Sequence, residues 1–233
     1  MTFLEAYWKN LIFINYEIDP EILKPFVPVG TELDFFNGKC YVSVVGFMFM
    51  DVKVLGIKLP YHINFEEVNL RFYVKRNGKR GVVFISEIVP KPLITIVANS
   101  IYHEHYQTRK MKHRWTENDN EFQFKYQWKL KNGSWQSVSV NTEKEFTHII
   151  EGSEEQYITE HYYGFTKYHS KTFQYEVVHP SWRQLQVKDH EVNMDFAANY
   201  GARFKMLNCA VPTSLILAEG SEVAVKNKTT IHR

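Results

Sequence analysis

Eight consecutive residues, Glu67 to Val74, alternate without error between polar and bulky apolar side chains. Because successive side chains of a strand point to opposite faces, this alternation predicts a β-strand with Glu67, Asn69, Arg71 and Tyr73 on one face. Such a face could line the polar cavity of a barrel, or it could be the water-exposed side of an ordinary antiparallel sheet. On this segment alone, the water-exposed side is the favoured interpretation.

Length and charge restrict the possible classes of protein. A chain of 233 residues and 27.6 kDa is near the upper end of what one hydrophobic core serves, so residues 1–233 are expected to form one domain. The formal net charge is only +2, from 28 basic and 26 acidic residues. A charge this small favours neither nucleic acid nor an anionic membrane as a partner. The small net charge does not exclude a homo-oligomer.

The cysteines and the N-terminal residues predict a compartment. Cys40 and Cys209 are far apart and form no Cys-x-x-Cys motif, so neither a disulfide framework nor a cysteine zinc site is expected. The N-terminus lacks the basic region of a signal peptide and carries Glu5 where apolar residues would be needed. The longest nearly apolar run, residues 40–50, is about half of a membrane-spanning helix. We therefore expect a soluble cytoplasmic protein.

Three Asn-Gly pairs predict β-hairpins, because this dipeptide suits the tight turns that join antiparallel strands. The pairs begin at Asn37, Asn77 and Asn132. They are expected to join three pairs of strands, namely residues 32–36 with 39–50, the polar row with 80–89, and 121–130 with a strand that starts near Trp135.

Helices are expected in three places. Asp19-Pro20 predicts a short helix that ends before Pro28, apolar spacing predicts a second helix after Pro92, and residues 153–156 form a capping box that begins a third helix reaching about Tyr163. Further strands are expected at residues 11–18, 171–179, 183–188, 213–218 and 222–229. The prediction is a mainly β protein, a large antiparallel barrel or sandwich with a few helices.

The basic run from Tyr102 to Arg114 contains two lysines that could act chemically. Lys110 or Lys112 would be an amine nucleophile if burial or a neighbouring cation lowered its pKa towards neutrality. The favoured alternative is a solvated basic strand end, because most such runs titrate normally in water.

The same run contains His103 and His105, which would point to the same side of a strand and could bind a metal, with Glu104 pointing away. A third ligand would have to come from elsewhere, and a chance His-x-His is easy to find among ten histidines. We therefore expect no metal. No glycine loop for a phosphate or dinucleotide is present, and no Gly-x-Ser-x-Gly motif, so no cofactor is expected either.

Several segments together resemble a known family. They are Trp8 with residues 11–16, Asp19 to Leu23, Pro28 to Asp34, Phe65 to Val74, Arg80 to Phe84, Tyr102-x-x-x-Tyr106, Tyr157 to Tyr163 and His179 to Trp182. These segments resemble the YqjF-like family of uncharacterised bacterial proteins, which is grouped with acetoacetate decarboxylase-like folds. The resemblance implies a large antiparallel β-barrel with flanking helices and an internal cavity.

This resemblance reverses the first interpretation of the polar row, because it implies that Glu67, Asn69 and Arg71 line the cavity. In acetoacetate decarboxylases a lysine forms a Schiff base with a 3-oxo acid, a second lysine lowers its pKa, and a glutamate and an arginine handle protons and the carboxylate. Glu67 and Arg71 would correspond to this glutamate and this arginine. The Pro-Lys-Lys element of these enzymes is absent, and Lys110 is a candidate by position only.

Three functional hypotheses follow. In the leading one, the cavity binds a small anionic or carbonyl-containing molecule, with Arg71 as anion anchor, Asn69 and Tyr73 as orienting hydrogen-bonders, Glu67 as acceptor or general base, and Tyr106 as one wall. In the second, Lys110 or Lys112 adds imine chemistry for a decarboxylase or related lyase acting on an oxo acid. In the third, the protein is a non-catalytic sensor or structural protein, and the polar row is a buried network.

Overall fold

A computed structural model describes residues 2–231 of the chain. Within this range the dominant element is the β-strand. The strands are β1 (Thr2–Glu17), β2 (Glu32–Leu33), β3 (Tyr41–Val54), β4 (Phe65–Arg76), β5 (Lys79–Val89), β6 (Tyr106–Thr108), β7 (Met111–Glu117), β8 (Phe122–Lys129), β9 (Trp135–His148), β10 (Tyr163–Tyr168), β11 (Lys171–Val178), β12 (Arg183–Asn193), β13 (Ser214–Lys226) and β14 (Thr229–Ile231).

The helices are short. They are α1 (Pro20–Leu23), α2 (Pro92–Val97), α3 (Glu154–Thr159) and α4 (Phe196–Tyr200), with 3-10 segments at Lys24–Phe26 and Ala202–Cys209 and a π-helical segment at Ala98–Tyr102. Among residues 2–231, no helix has the length and apolar character needed to cross a bilayer.

Seven strands close into a ring. Their order is β11, β10, β5, β4, β3, β1, β13, and β13 pairs again with β11 through Val177↔Val225 and Val178↔Ala224. Strands β12, β9, β8 and β7 continue the sheet outward from β13. Most pairings are antiparallel, but β5 runs parallel to both β10 and β6. The prediction of a mainly β fold with a barrel-like sheet and few helices is confirmed, and the sheet is mixed.

Strand β4 is buried on both faces, so the first interpretation of the polar row, a water-exposed face, is wrong. The exposed fractions of Glu67, Asn69, Arg71 and Tyr73 are 2%, 2%, 8% and 1%. The apolar face of β4 packs in one core, together with large side chains from β8 and the segments near α4. The ring interior lies on the opposite side and holds a second core. The outer strands therefore cover one face of β4, and the ring interior covers the other.

Two of the three Asn-Gly hairpins form as predicted. Asn77-Gly78 joins β4 to β5 with φ values of 50° and 75°, as a two-residue turn requires. The loop at Asn132-Gly133 joins β8 to β9.

The turn at Asn37-Gly38 also forms, but the strand pairing predicted there is wrong. Phe36 and Lys39 make a single bridge, whereas β2 pairs with β4 through Leu33↔Val74. The pairing of β3 with β4 ends at Phe72. Beyond that residue, the backbone groups of β4 pair with β2 instead.

The helix starts follow the predicted caps. Asp19 Oδ1 accepts a 2.9 Å hydrogen bond from the Glu21 amide, and Ser153 Oγ accepts one of 3.2 Å from the Gln156 amide. Helix α3 ends at Thr159 rather than near Tyr163, because Tyr163 begins β10 and pairs with β5.

Strand β10 was not predicted as a strand, and β7 was anticipated only as a strand end in the basic run. Strand β13 runs through the break predicted at residues 219–221. There Gly220 adopts φ 86° and lies against the backbone of Trp8, and the pairing of β13 with β1 continues through it without a shift of register.

Candidate ligand-binding cavity

The ring of strands encloses a cavity of about 130 Å³. Much of its wall is aromatic, with rings from Trp8, Phe47, Phe49, Phe65 and Trp182. The polar side chains in the wall are Glu67, Asn69, Arg71, Glu87, Tyr102, Glu104, Tyr106, Thr159, His161, Tyr175 and His179. A mostly apolar cavity with a few converging polar groups is the usual form of a small-molecule site.

Two neighbouring strands position the centre of the polar wall. Alternation along β4 directs Glu67, Asn69 and Arg71 into the ring. Strand β5 brings Glu87 directly opposite Asn69. The register between the two strands shifts next to Arg71, so β5 contains an extra residue at this point, as in a β-bulge.

Glu67 is buried and accepts two hydrogen bonds. Asn69 Nδ2 donates to Oε1 at 2.9 Å, and the Tyr106 hydroxyl donates to Oε2 at 3.1 Å. Burial raises the pKa of Glu67 to about 7, the charge of Glu104 adds to this rise, and the two hydrogen bonds oppose it. Glu67 can therefore hold or release a proton near neutral pH.

Tyr106 reaches Glu67 because its backbone is fixed on both sides. Strand β6 runs parallel to β5 and places Tyr106 beside Glu87. Asn99, in the π-helical segment, accepts a 2.8 Å hydrogen bond from the Tyr106 amide and donates one of 3.0 Å to its carbonyl. These hydrogen bonds therefore connect the π-helical segment to the cavity wall.

Glu87 and Glu104 add two more buried carboxyl groups. Glu104 Oε1 accepts from the Thr166 hydroxyl at 2.5 Å and from the Tyr175 hydroxyl at 2.9 Å. Burial raises the pKa of Glu104 to about 7, and burial together with the charges of Glu104 and Glu67 raises that of Glu87 well above its ordinary value. Glu87 Oε2 is buried without a protein hydrogen-bond partner.

Arg71 carries the positive charge of the cavity wall. Its Nη2 donates to the Ile158 carbonyl at 2.9 Å, and its guanidinium lies over the rings of Phe13 and Tyr73 at 5.0 and 5.5 Å. The Nε atom is buried and has no protein partner. Within residues 2–231, Arg71 forms no ion pair with a carboxylate.

Two histidines complete the polar wall in neutral form. Burial lowers the pKa of His161 to about 4, and its Nε2 lies 3.6 Å from Asp34 Oδ2, beyond hydrogen-bond distance. Burial also lowers the pKa of His179, whose ring stacks on Trp182 with centroids 4.3 Å apart. Neither ring therefore adds charge to the cavity at neutral pH.

The structure brings together four of the residues selected from the sequence: Glu67, Asn69, Arg71 and Tyr106 all line the cavity. Tyr73 is buried beside them but does not line it, and its hydroxyl lies 2.6 Å from that of Ser43.

The two lysines lie elsewhere. Lys110 is exposed between β6 and β7, and Lys112 is exposed with its Nζ 4.5 Å from the centre of the Trp135 ring. The part of the chain that the structure describes contributes no lysine to the cavity wall. The imine hypothesis thus has no amine at the site.

The metal alternative has no geometric support either. His103 and His105 lie in the connection between the π-helical segment and β6, not on a strand, and His103 adopts φ 58° and stacks on Tyr168. Glu104, expected to point away from a site, instead points into the cavity. Residues 2–231 contain no group of three His, Cys, Asp or Glu side chains placed to hold a metal ion.

Sequence reasoning missed Glu87, Glu104, His161 and Tyr175 as wall residues. One signal was available, because Glu87 is an isolated acid within the apolar strand from Gly81 to Val89. The other three depend on which strands close the ring, and local patterns do not show this.

Solved structures with this fold define its class. The chain matches the enduracididine biosynthesis enzyme MppR with HEPES buffer bound (TM-score 0.69, 9% identity, covering 100% of this chain and 89% of that one). It also matches acetoacetate decarboxylase from Legionella pneumophila (TM-score 0.66, 11% identity, 97% and 86% covered) and an acetoacetate decarboxylase-like enzyme from Sphingomonas wittichii RW1 (0.68, 10%, 100% and 94%). The fold is that of the acetoacetate decarboxylase-like proteins.

Sequence comparison identifies the family. Residues 5–222 match the model of DUF2071, described as an uncharacterized conserved protein (COG2071), and the chain belongs to this family. The uncharacterized protein YqjF of Bacillus subtilis (strain 168) is 28% identical over 192 residues, covering 81% of this chain and 77% of YqjF. The resemblance drawn from the sequence motifs is confirmed.

Proposed function

We propose that this protein is a single-domain barrel that binds a small anionic or carbonyl-containing organic molecule in its cavity. Arg71 is the anion anchor, Asn69 and Tyr106 orient the ligand, and Glu67 is the hydrogen-bond partner or general acid and base. The observation that carries the proposal is the Nε atom of Arg71, buried at the cavity wall without a protein partner. A carboxylate oxygen at this position would receive a charge-assisted hydrogen bond.

The acids support the same proposal. With its pKa raised to about 7, Glu67 is substantially protonated at neutral pH. A protonated carboxyl group donates a hydrogen bond to a carbonyl oxygen, and an ionised one accepts a proton from an adjacent carbon or hydroxyl. MppR, which has the same fold, has been solved in complex with pyruvate, an example of the ligand class proposed here. The cytoplasmic location expected from the sequence remains a prediction.

The test is ligand-induced thermal stabilisation. Pyruvate, acetoacetate and butanoate are titrated against the wild-type protein, the Arg71→Met variant and the matched control Arg76→Met, which changes an arginine on the same strand outside the cavity wall. At a free concentration 100 times its dissociation constant, a ligand adds about 2.7 kcal/mol to the free energy of unfolding. We expect the melting temperature to rise in the wild type and in Arg76→Met, and to stay constant in Arg71→Met.

The structural alternative gives the opposite result. If the polar row is only a buried network, none of the acids stabilises the wild type, and Arg71→Met unfolds at a much lower temperature because the carboxyls lose their nearby positive charge. That outcome would overturn the proposal. The Arg71→Lys variant retains the charge and should recover part of the ligand response, since a lysine donates hydrogen bonds from a single point rather than a planar fork.

A further inference from the structure

The charges in the cavity wall do not balance. Three carboxyl groups, from Glu67, Glu87 and Glu104, line the cavity together with one guanidinium, that of Arg71. The two histidines of the wall are neutral for the reasons given above. Among the wall residues that the structure describes, an anionic ligand on Arg71 would use the one cationic side chain and leave the three carboxyl groups without a cationic partner in the wall.

Arg71 and the acids Glu87 and Glu104 are held by different elements of the fold. Arg71 is four residues from Glu67 on the same strand, about 13 Å between Cα atoms, and its guanidinium points to the Ile158 carbonyl. Glu104 is fixed instead by Thr166 and Tyr175, on the hairpin of β10 and β11. We call Arg71, which is held at Ile158 of α3, the basic end of the polar wall, and Glu87 of β5 with Glu104, which is held at the hairpin of β10 and β11, its acidic end.

The acidic end has an acceptor that the protein leaves unused. Glu87 is 2% exposed, lines the cavity and has no protein partner for Oε2. Aromatic rings from Tyr102, Tyr106 and Tyr175 line the wall here as well. Carboxylates and ring faces are the groups that proteins use to hold an organic cation.

We propose that the ligand carries an ammonium group at the end opposite its carboxylate or carbonyl, and that Glu87 with Glu104 binds this group. The inference rests on the proposed function, since it takes the anion site at Arg71 as given. It narrows the ligand class to small amino-substituted acids and oxo acids.

Proton release is the expected signature of such binding. The titratable groups that face Glu87 are Glu67, Glu104, Tyr106 and Tyr175, and Lys228 acts on Glu104 from the turn between β13 and β14. The ionised forms of the three carboxyl groups repel one another. A cation beside Glu87 favours its ionised form, so binding should expel a proton into the buffer. A simple carboxylic acid has no such group and should not expel one.

The experiment is calorimetric titration of the wild-type protein at pH 7 in two buffers of different ionisation enthalpy. The probes are 4-aminobutanoate, 5-aminopentanoate and 6-aminohexanoate, each compared with the unsubstituted acid of equal length. We expect at least one amino acid to bind about tenfold more tightly than its matched acid, as a charge-assisted hydrogen bond would provide. We also expect a buffer-dependent enthalpy for that amino acid alone.

A pair of variants localises the effect. Glu87→Gln keeps the shape of the side chain and removes its ability to ionise, so the ratio of the two affinities should fall to about one. The matched control, Glu176→Gln, changes a partly exposed glutamate of β11 that pairs with Lys226, and it should keep the wild-type ratio. The proton-release measurement needs no variant and remains decisive if Glu87→Gln does not fold.

The outcomes separate the two proposals. If the unsubstituted acids bind and depend on Arg71, but the amino acids bind no better and release no proton, the ammonium site is overturned and the proposed function stands. If neither set of probes binds, both proposals fail. Tighter binding of an amino acid with proton release that disappears in Glu87→Gln supports the ammonium site.

Discussion

The phenolic oxygen of Tyr106 donates a 3.1 Å hydrogen bond to Oε2 of Glu67 across the cavity wall. This bond joins the short strand β6 to the first part of β4, and it favours the ionised form of the Glu67 carboxyl. Burial acts in the opposite direction and dominates. The protonation of Glu67 is therefore a balance between these two contributions, and single substitutions should shift it.

Removing the Tyr106 hydroxyl should raise the pKa of Glu67 above about 7, because Tyr106→Phe deletes a donor to the carboxylate and leaves the burial unchanged. We expect a rise of about one pKa unit, the usual value of a hydrogen bond to a charged group. Titration of the Glu67 side-chain carboxyl, followed by carbon-13 NMR, measures this rise in pKa. Tyr168→Phe, at a partly exposed ring outside the cavity wall, is the control, and an unchanged pKa in Tyr106→Phe would contradict the prediction.

Glu67 should also make stability depend on pH. Its pKa is about 7 in the folded protein against an ordinary value of 4.5, so folding is favoured by bound protons. This contribution is complete below pH 4.5 and is lost as the pH rises through about 7. Relative to Glu67→Gln, the wild type should lose about 1 to 3 kcal/mol of unfolding free energy between pH 5 and pH 8.

Urea unfolding at four pH values in that window tests this dependence. Comparison with the variant cancels the contributions of the histidines, which are common to both proteins. Glu222→Gln changes an exposed glutamate of β13 and should parallel the wild type. A wild-type curve that parallels Glu67→Gln over the whole window would show that Glu67 is already ionised at pH 5.

Gly164 should tolerate no side chain. A Cβ at this position would overlap the ring of Tyr175, whose hydroxyl holds Glu104. Gly164→Ala should therefore cost about 1 to 3 kcal/mol of unfolding free energy, as overpacking of a core does. Chemical denaturation of the single variants and of Gly164→Ala with Tyr175→Leu gives the interaction energy, and the double variant should recover part of the loss. Strictly additive losses would disprove the predicted overlap.

Borohydride trapping should leave Lys110 without an oxo-acid adduct. Its side chain is exposed and outside the cavity wall, and an exposed amine lacks the desolvated surroundings that activate imine-forming lysines. Incubation with pyruvate and acetoacetate, reduction, and peptide mapping by mass spectrometry measures this. A single stable adduct confined to Lys110 would revive the decarboxylase hypothesis, whereas weak labelling spread over many surface lysines would not.

Local patterns were sufficient for the elements that depend on neighbouring residues. The turns at Asn77-Gly78 and Asn132-Gly133, the cap at Ser153 and the alternation of β4 all follow from short-range geometry, and the structure contains them. The family resemblance then indicated which face of β4 lines the cavity.

The remaining parts depend on contacts between distant segments. The pairing of β2 with β4 is set by where β3 stops, and no residue within β2 encodes it. Glu104 enters the cavity because the chain turns at His103 with φ 58° after a π-helical segment. Tyr175 comes from a hairpin whose position depends on ring closure.

The ring is not equally strong around its circumference. The hairpin of β10 and β11 pairs internally over six positions, but it joins β5 through two residue pairs and β13 through two more. Local opening is easiest where the fewest inter-strand hydrogen bonds must break. We therefore expect this hairpin to behave as a hinged flap and its amides to exchange with solvent before those of β3 and β4. Since it carries Tyr175 and Val177, such a movement would change the wall of the cavity itself.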